Sequence, residues 1–108
     1  MTITRTEEYQ KELLIILKYI ANDKITASRK FKTDLNKQIA KIPNFPYKYR
    51  QSIYFNDENV RDMIFKRYTI NYEIDLNKNI IFIFSQFNEN QPEIKKETFN
   101  IQLMKEHP

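Results

Sequence analysis

The spacing of apolar residues changes midway along this chain, from every third or fourth residue to every second. A chain with that switch buries its apolar surface by laying helices against a sheet. Tyr9, Leu13, Ile16, Leu17 and Ile20 recur at helical spacing and predict a first helix ending near Ala21. Thr4-Arg5-Thr6-Glu7 fits a Ser/Thr-x-x-Glu capping box at its start, and Glu7 and Glu8 suit the positive end of its dipole. Thr2 to Thr4 ahead of it reads as a short edge strand. Asn22-Asp23-Lys24 reads as a turn. A second helix from Thr26 carries Ala27, Phe31, Leu35, Ile39 and Ile42 on one stripe and stops at Pro43. So short a connection makes the pair an antiparallel hairpin.

Pro43 to Asn59 reads as a loop with one short strand. Val60 to Phe65 is strand-like. Tyr68, Ile70, Tyr72 and Ile74 then alternate with Thr69, Asn71, Glu73 and Asp75, the pattern of a half-buried strand. Leu76-Asn77-Lys78-Asn79 is a hairpin turn with Asn at positive φ. Ile80 to Phe84 is apolar on both faces and reads as the central strand. Asn88 to Glu93 is a second loop, and Thr98 to Met104 a final strand or short helix. With no linker or repeat in 108 residues, the expectation is one α+β domain over 1–108. It places an N-terminal antiparallel helical hairpin on a small, mainly antiparallel twisted sheet.

What the chain lacks narrows its chemistry. It has no cysteine and no glycine, and its one histidine is His107. That excludes a disulfide scaffold, a zinc finger, a P-loop and a Gly-rich dinucleotide turn. A Ser-His-Asp triad and a multi-His metal site go with them. We expect no metal and no cofactor. No run of apolar residues is long enough to cross a membrane, and no signal peptide is visible, so the expected address is the cytoplasm.

The net charge of +4 is unevenly spread. Residues 1–52 hold 11 basic and 5 acidic side chains, whereas 53–108 hold 7 and 9. A basic helical half suits an acidic partner, nucleic acid or protein, or is a solvated Lys-rich face. Lys48, Tyr49 and Arg50 have the composition of a single-strand-binding patch, although tyrosines in such a loop also pack down on helices. Arg61 grips a phosphate or an acidic partner, or else pairs across strands with Asp62, Glu73 or Asp75. Lys66 and Arg67 fall in a turn between strands. Tyr68 and Tyr72 share a face with Ile70 and Ile74, which suits a core.

The same order of elements, with these residues, resembles the RelE/ParE superfamily of toxins from bacterial toxin–antitoxin operons. The likeness lies in Leu17-Lys18-Tyr19-Ile20-Ala21-Asn22-Asp23 and in Ala27, Phe31, Leu35 and Ile39 before Ile42-Pro43. It continues in Val60-Arg61 with Tyr68 seven residues after Arg61, and in Ile80 to Phe87 before Pro92. It covers about residues 6–92.

The resemblance implies a cognate antitoxin, whose disordered segment would fold on the toxin, with Leu14 and Ile15 as exposed contacts. A homodimer through them is the alternative. It also implies one of two targets. A ParE-like member would bind DNA gyrase. A RelE-like member would cleave mRNA on the ribosome, with Arg61, Lys66, Arg67 and Tyr68 as its candidate residues. A third reading is a degenerate, non-toxic member. The ribonuclease branch often has Arg where Thr69 stands, and basic or His residues where Phe87-Asn88-Glu89-Asn90-Gln91 stands. The ParE-like branch is therefore favoured, with Lys48, Tyr49, Arg50, Arg61, Lys66 and Arg67 as candidate target contacts.

Overall fold

In the computed structural model, residues 1–88 are described. Strand β1 (Thr2–Arg5) leads into helix α1 (Glu7–Asp23), then helix α2 (Ile25–Ala40) and a 3-10 turn (Ile42–Asn44). Strands β2 (Arg50–Gln51), β3 (Val60–Phe65), β4 (Tyr68–Asp75) and β5 (Ile80–Asn88) follow. They form one sheet in the order β1-β5-β4-β3-β2. Every pairing is antiparallel except that of β1 with β5. The expected α+β architecture is the observed one. The segment 98–104 lies outside the described residues, as does all of the second loop except Asn88, which ends β5.

The N-terminal cap falls two residues later than the box motif suggests. Thr6 caps α1, its hydroxyl accepting the Tyr9 amide at 3.2 Å. Thr4 is instead held in β1, paired with Phe82. The expected three-residue turn between the helices is a single residue. Lys24 is extended; its amide donates to Ile20 O at 3.0 Å, and its carbonyl accepts from the Ser28 amide at 3.2 Å. One residue thus closes α1 and opens α2. Ser28 ties the pair laterally, donating its hydroxyl to Leu17 O at 2.8 Å.

The apolar stripes meet the sheet as their periods require. Tyr9 and Ile16 of α1, and Phe31, Leu35 and Ile39 of α2, are buried with Met63, Ile70, Tyr72, Ile74, Ile81 and Ile83. The central strand is β4, not β5 as the sequence suggests, because β1 pairs with β5 alone at the edge. The apolar character of β5 on both faces has a different cause. Asn71 pairs with Ser85 while Tyr72 pairs with Ile83, so Phe84 is an extra residue, a β-bulge. Before the bulge Ile81 and Ile83 face the helices. After it the alternation is offset, and Ser85 and Phe87 share the far face with Asn71 and Thr69.

Without glycine, the tight turns use other residues at positive φ. Lys66 (φ 45°) and Arg67 (φ 70°) form the two-residue β3–β4 turn, and Asn79 (φ 57°) ends the β4–β5 turn. Asn tolerates that region, whereas Lys and Arg are strained there by about 1 kcal/mol or more each.

Tyr9 is fully buried, and its hydroxyl has no hydrogen-bond partner. Burial pushes its pKa up to about 12, against a small opposing pull from Arg5. Unfolded Tyr9 ionises near 10, so stability is full below pH 10 and falls as pH rises towards 12. We predict that Tyr9→Phe raises stability at pH 7 by about 1 kcal/mol, since it removes an unsatisfied buried group. It should also flatten the loss above pH 10. Urea denaturation at pH 7 and pH 10.5 checks both.

Candidate functional site

The chain between α2 and β3 runs from 41 to 59 and returns over the open end of the sheet. Phe45, Pro46, Tyr47 and Lys48, with Asn44, line a shallow depression of about 610 Å³ there. Two neighbouring residues of β3, pointing to opposite faces, hold this connection. On the helix side, Arg61 donates Nε to Glu58 O at 2.9 Å and an Nη to Tyr49 O at 3.2 Å. Its guanidinium also lies 4.9 Å from the Tyr47 ring centroid. On the far side, Asp62 is fully buried. Its carboxylate accepts from Asn71 Nδ2 at 2.7 Å and the Ile53 amide at 3.3 Å, and meets the Arg50 guanidinium at 3.5 Å.

This placement shows what each expected site residue touches within the chain. Within the chain, Arg61 does not make the cross-strand ion pair weighed for it. It grips loop carbonyls rather than pairing with Asp62, Glu73 or Asp75. Arg50 is spent on Asp62. Tyr49 packs edge-on against Tyr72 with ring centroids 6.4 Å apart, and Tyr72 donates to Pro46 O at 2.5 Å. Lys48 is exposed and lies 5.8 Å from the Tyr49 ring centroid.

A second group forms at the opposite end of β3. Lys66 reaches Asp34 of α2 at 3.6 Å and sits near the Phe31 and Phe65 rings. Asp34 also takes Lys30 at 3.2 Å, and these two lysines, Lys30 first, hold its carboxyl below the usual range. Tyr68 is half-buried, edge-on to Phe31 at 5.6 Å. Burial, and then the neighbouring Tyr19 hydroxyl, push its pKa up. Arg67 is exposed, and among the described residues it has no ion-pair or hydrogen-bond partner. The structure therefore separates the candidates: Lys66, Arg67 and Tyr68 cluster together, whereas Lys48, Tyr49, Arg50 and Arg61 belong to the loop at the other end.

Sequence reasoning missed the buried polar group on the far face of the sheet. Asp62, considered merely as a partner for Arg61, is the hub of the far face. Thr69, Asn71 and Ser85 are buried beside it, and the Thr69 Oγ1, Asn71 Oδ1 and Ser85 Oγ atoms have no hydrogen-bond partner. The strand alternation does put Thr69 and Asn71 opposite Ile70 and Tyr72, which was the available signal. On the outside of α1, Leu14 is 57%, Ile15 69% and Tyr19 74% exposed, an apolar patch on a helix whose other face is core. Among the described residues no group of His, Cys, Asp or Glu is placed to share a metal ion, and no helix is long and apolar enough to cross a membrane.

This helix pair on a β1-β5-β4-β3-β2 sheet can be set beside known proteins. A family model described as ParE toxin of type II toxin-antitoxin system, parDE, matches residues 3–85. The chain belongs to the ParE toxin family. The match spans every element up to the β5 bulge, including both the Arg61 and the Lys66 groups. A solved structure titled as the chromosomal ParDE TA system from P. aeruginosa has the same fold, with a TM-score of 0.67 at 15% identity. The alignment covers 82% of this chain and 95% of that one. No curated protein matches this chain in sequence. ParE membership makes the chain a toxin of a type II toxin–antitoxin system, as its sequence suggested.

The Asp62 hub yields a stability prediction. Asp62→Ala leaves the Asn71 amide and the Ile53 N–H without their acceptor in a dry site. We expect a loss of about 2–3 kcal/mol in chemical denaturation. Proteolytic nicking between 45 and 58 should accelerate, because the loop loses one of its two anchors.

Proposed function

We propose that this ParE-family toxin inhibits DNA gyrase by binding it, and that a cognate antitoxin holds it inactive until released. The observation that carries the choice of binding over RNA cleavage is the engagement of the cations. Cleavage at a 2′-hydroxyl needs a group to take the proton and a cation to stabilise the phosphorane. Arg61 is committed to Tyr49 O and Glu58 O, and Lys66 to Asp34. Burial raises the pKa of the Tyr68 hydroxyl, so it holds its proton more firmly and is a poorer general base. Lys48 and Arg67 remain as exposed cations for contact with a target, with Tyr49, Arg50, Arg61 and Lys66 shaping the surfaces that carry them. Such a target places the toxin in the cytoplasm.

The purified chain should block supercoiling of relaxed plasmid by gyrase. After induced expression without antitoxin, DNA synthesis should stop before protein synthesis. The reverse order overturns this reading in favour of mRNA cleavage, and no arrest at all marks a degenerate member.

For the antitoxin, the exposed Leu14 and Ile15 of α1 are the proposed anchors. Burying each contributes about 1.5–3 kcal/mol. Leu14→Glu with Ile15→Glu should therefore weaken antitoxin binding at least about 100-fold by titration calorimetry. Stability of the free toxin should hold, because both side chains already face water.

A further inference from the structure

Helix α2 carries a run of positive charge of which the loop clamp uses none and the turn cluster only Lys30. Residues 24–41, the helix with its flanking lysines, contain six basic side chains and one acid, Asp34. That acid is already held by Lys30 and Lys66. Helix α2 buries Ser28, Phe31, Leu35 and Ile39. The face directly opposite carries Thr26, Lys30, Thr33, Lys37 and Lys41, at steps of four, three, four and four, with Arg29 beside them; all are exposed. Lys41 keeps helical geometry (φ −84°, ψ −15°), so the stripe continues past the last turn. It is about 22 Å long at 1.5 Å per residue.

A second observation concerns the other side of the sheet. Glu73 faces away from the helices, opposite to Tyr72 and Ile74, where burial first and then Asp57 and Asp75 raise its pKa against a pull from Lys78. Charge therefore runs through the thickness of the molecule, basic at α2 and acidic behind β4. Such a dipole turns α2 towards an anionic surface during approach.

We infer that the outward face of α2 docks on the phosphate backbone of double-stranded DNA, without reading sequence. The chemistry of the stripe selects this occupant. It holds Lys, Arg, Thr and Ala40, with no aromatic side chain, whereas single strands are bound on aromatic platforms. It offers no apolar row, whereas an acidic peptide that orders on binding needs apolar burial to offset its entropy. A rigid row of cations and hydroxyls on a helix matches a rigid, regularly charged duplex. The B-form major groove, about 12 Å wide, admits a helix, while that of duplex RNA is deep and narrow. The inference stands apart from the gyrase reading, since it concerns DNA alone.

The test is fluorescence anisotropy of the full chain with a labelled 20-base-pair DNA duplex, titrated in salt and without gyrase. Three cations free of Asp34 (Arg29, Lys37 and Lys41) give an expected slope of about −2.7 in log K against log salt, an affinity loss of roughly 40-fold between 50 and 200 mM. Arg29→Gln/Lys37→Gln/Lys41→Gln should abolish binding. Lys11→Gln/Lys18→Gln/Lys78→Gln, which removes the same charge elsewhere, should bind DNA like the parent. Glutamine has nearly the helix propensity of lysine and arginine, so both variants should fold. No binding at 50 mM salt overturns the inference, as does an equal loss in the two triple variants. Tighter binding to a duplex RNA of the same sequence overturns it too.

Discussion

The long connection from α2 to β3 is fixed by two adjacent residues of β3. Arg61 and Asp62 point to opposite faces of the same strand, and each fastens the connection that returns from α2. Arg61 takes its carbonyls and stacks on Tyr47; Asp62 takes the Ile53 amide and Arg50. A strand's period of two is what lets neighbouring residues grip one loop from both sides. The buried carboxylate would be costly without partners, and Asn71 from the central strand supplies the strongest of them. The loop, the edge strand β2 and the far face are thereby fixed to one another through a single peptide unit.

Much of this architecture was legible because period and burial coincide. The stripes of α1 and α2 and the alternation of β4 each name the residues that now form the core. Asn79 was readable as a left-handed turn residue because asparagine tolerates that region. The order of strands was not legible. Nothing local distinguishes an apolar strand beside the edge from one in the middle, and β1 is too short to announce a parallel partner. The bulge at Phe84 was equally hidden, since it is a relation between two strands and not a property of one. The site was least legible of all. Arg61 has the same composition around it whether it binds a phosphate or a carbonyl, and its partners Tyr49 O and Glu58 O are backbone atoms that any sequence would supply.

The basic residues fall into two populations with different roles. Arg50, Arg61 and Lys66 are each held by an acid or a carbonyl, and each lies near an aromatic ring or a buried carboxylate. Arg29, Lys37 and Lys41 lie on a helix face and form no ion pair among the described residues. Net charge alone could not separate the two. The geometry does, because a cation with its donors satisfied has little left to offer a partner, while one held out on a regular scaffold keeps its full field.

The parallel pairing of β1 with β5 has a consequence in time. Thr2 to Arg5 meet Ile80 to Ile83, so β1 leaves the ribosome well before its partner β5 and waits for it. The helix hairpin and the β3–β4 turn can close from nearby residues. The sheet cannot be sealed until nearly all of the described chain has been made, and contacts so distant in sequence are slow to form. During synthesis the nascent chain is therefore without its closed sheet until β5 has emerged, however early its helices form.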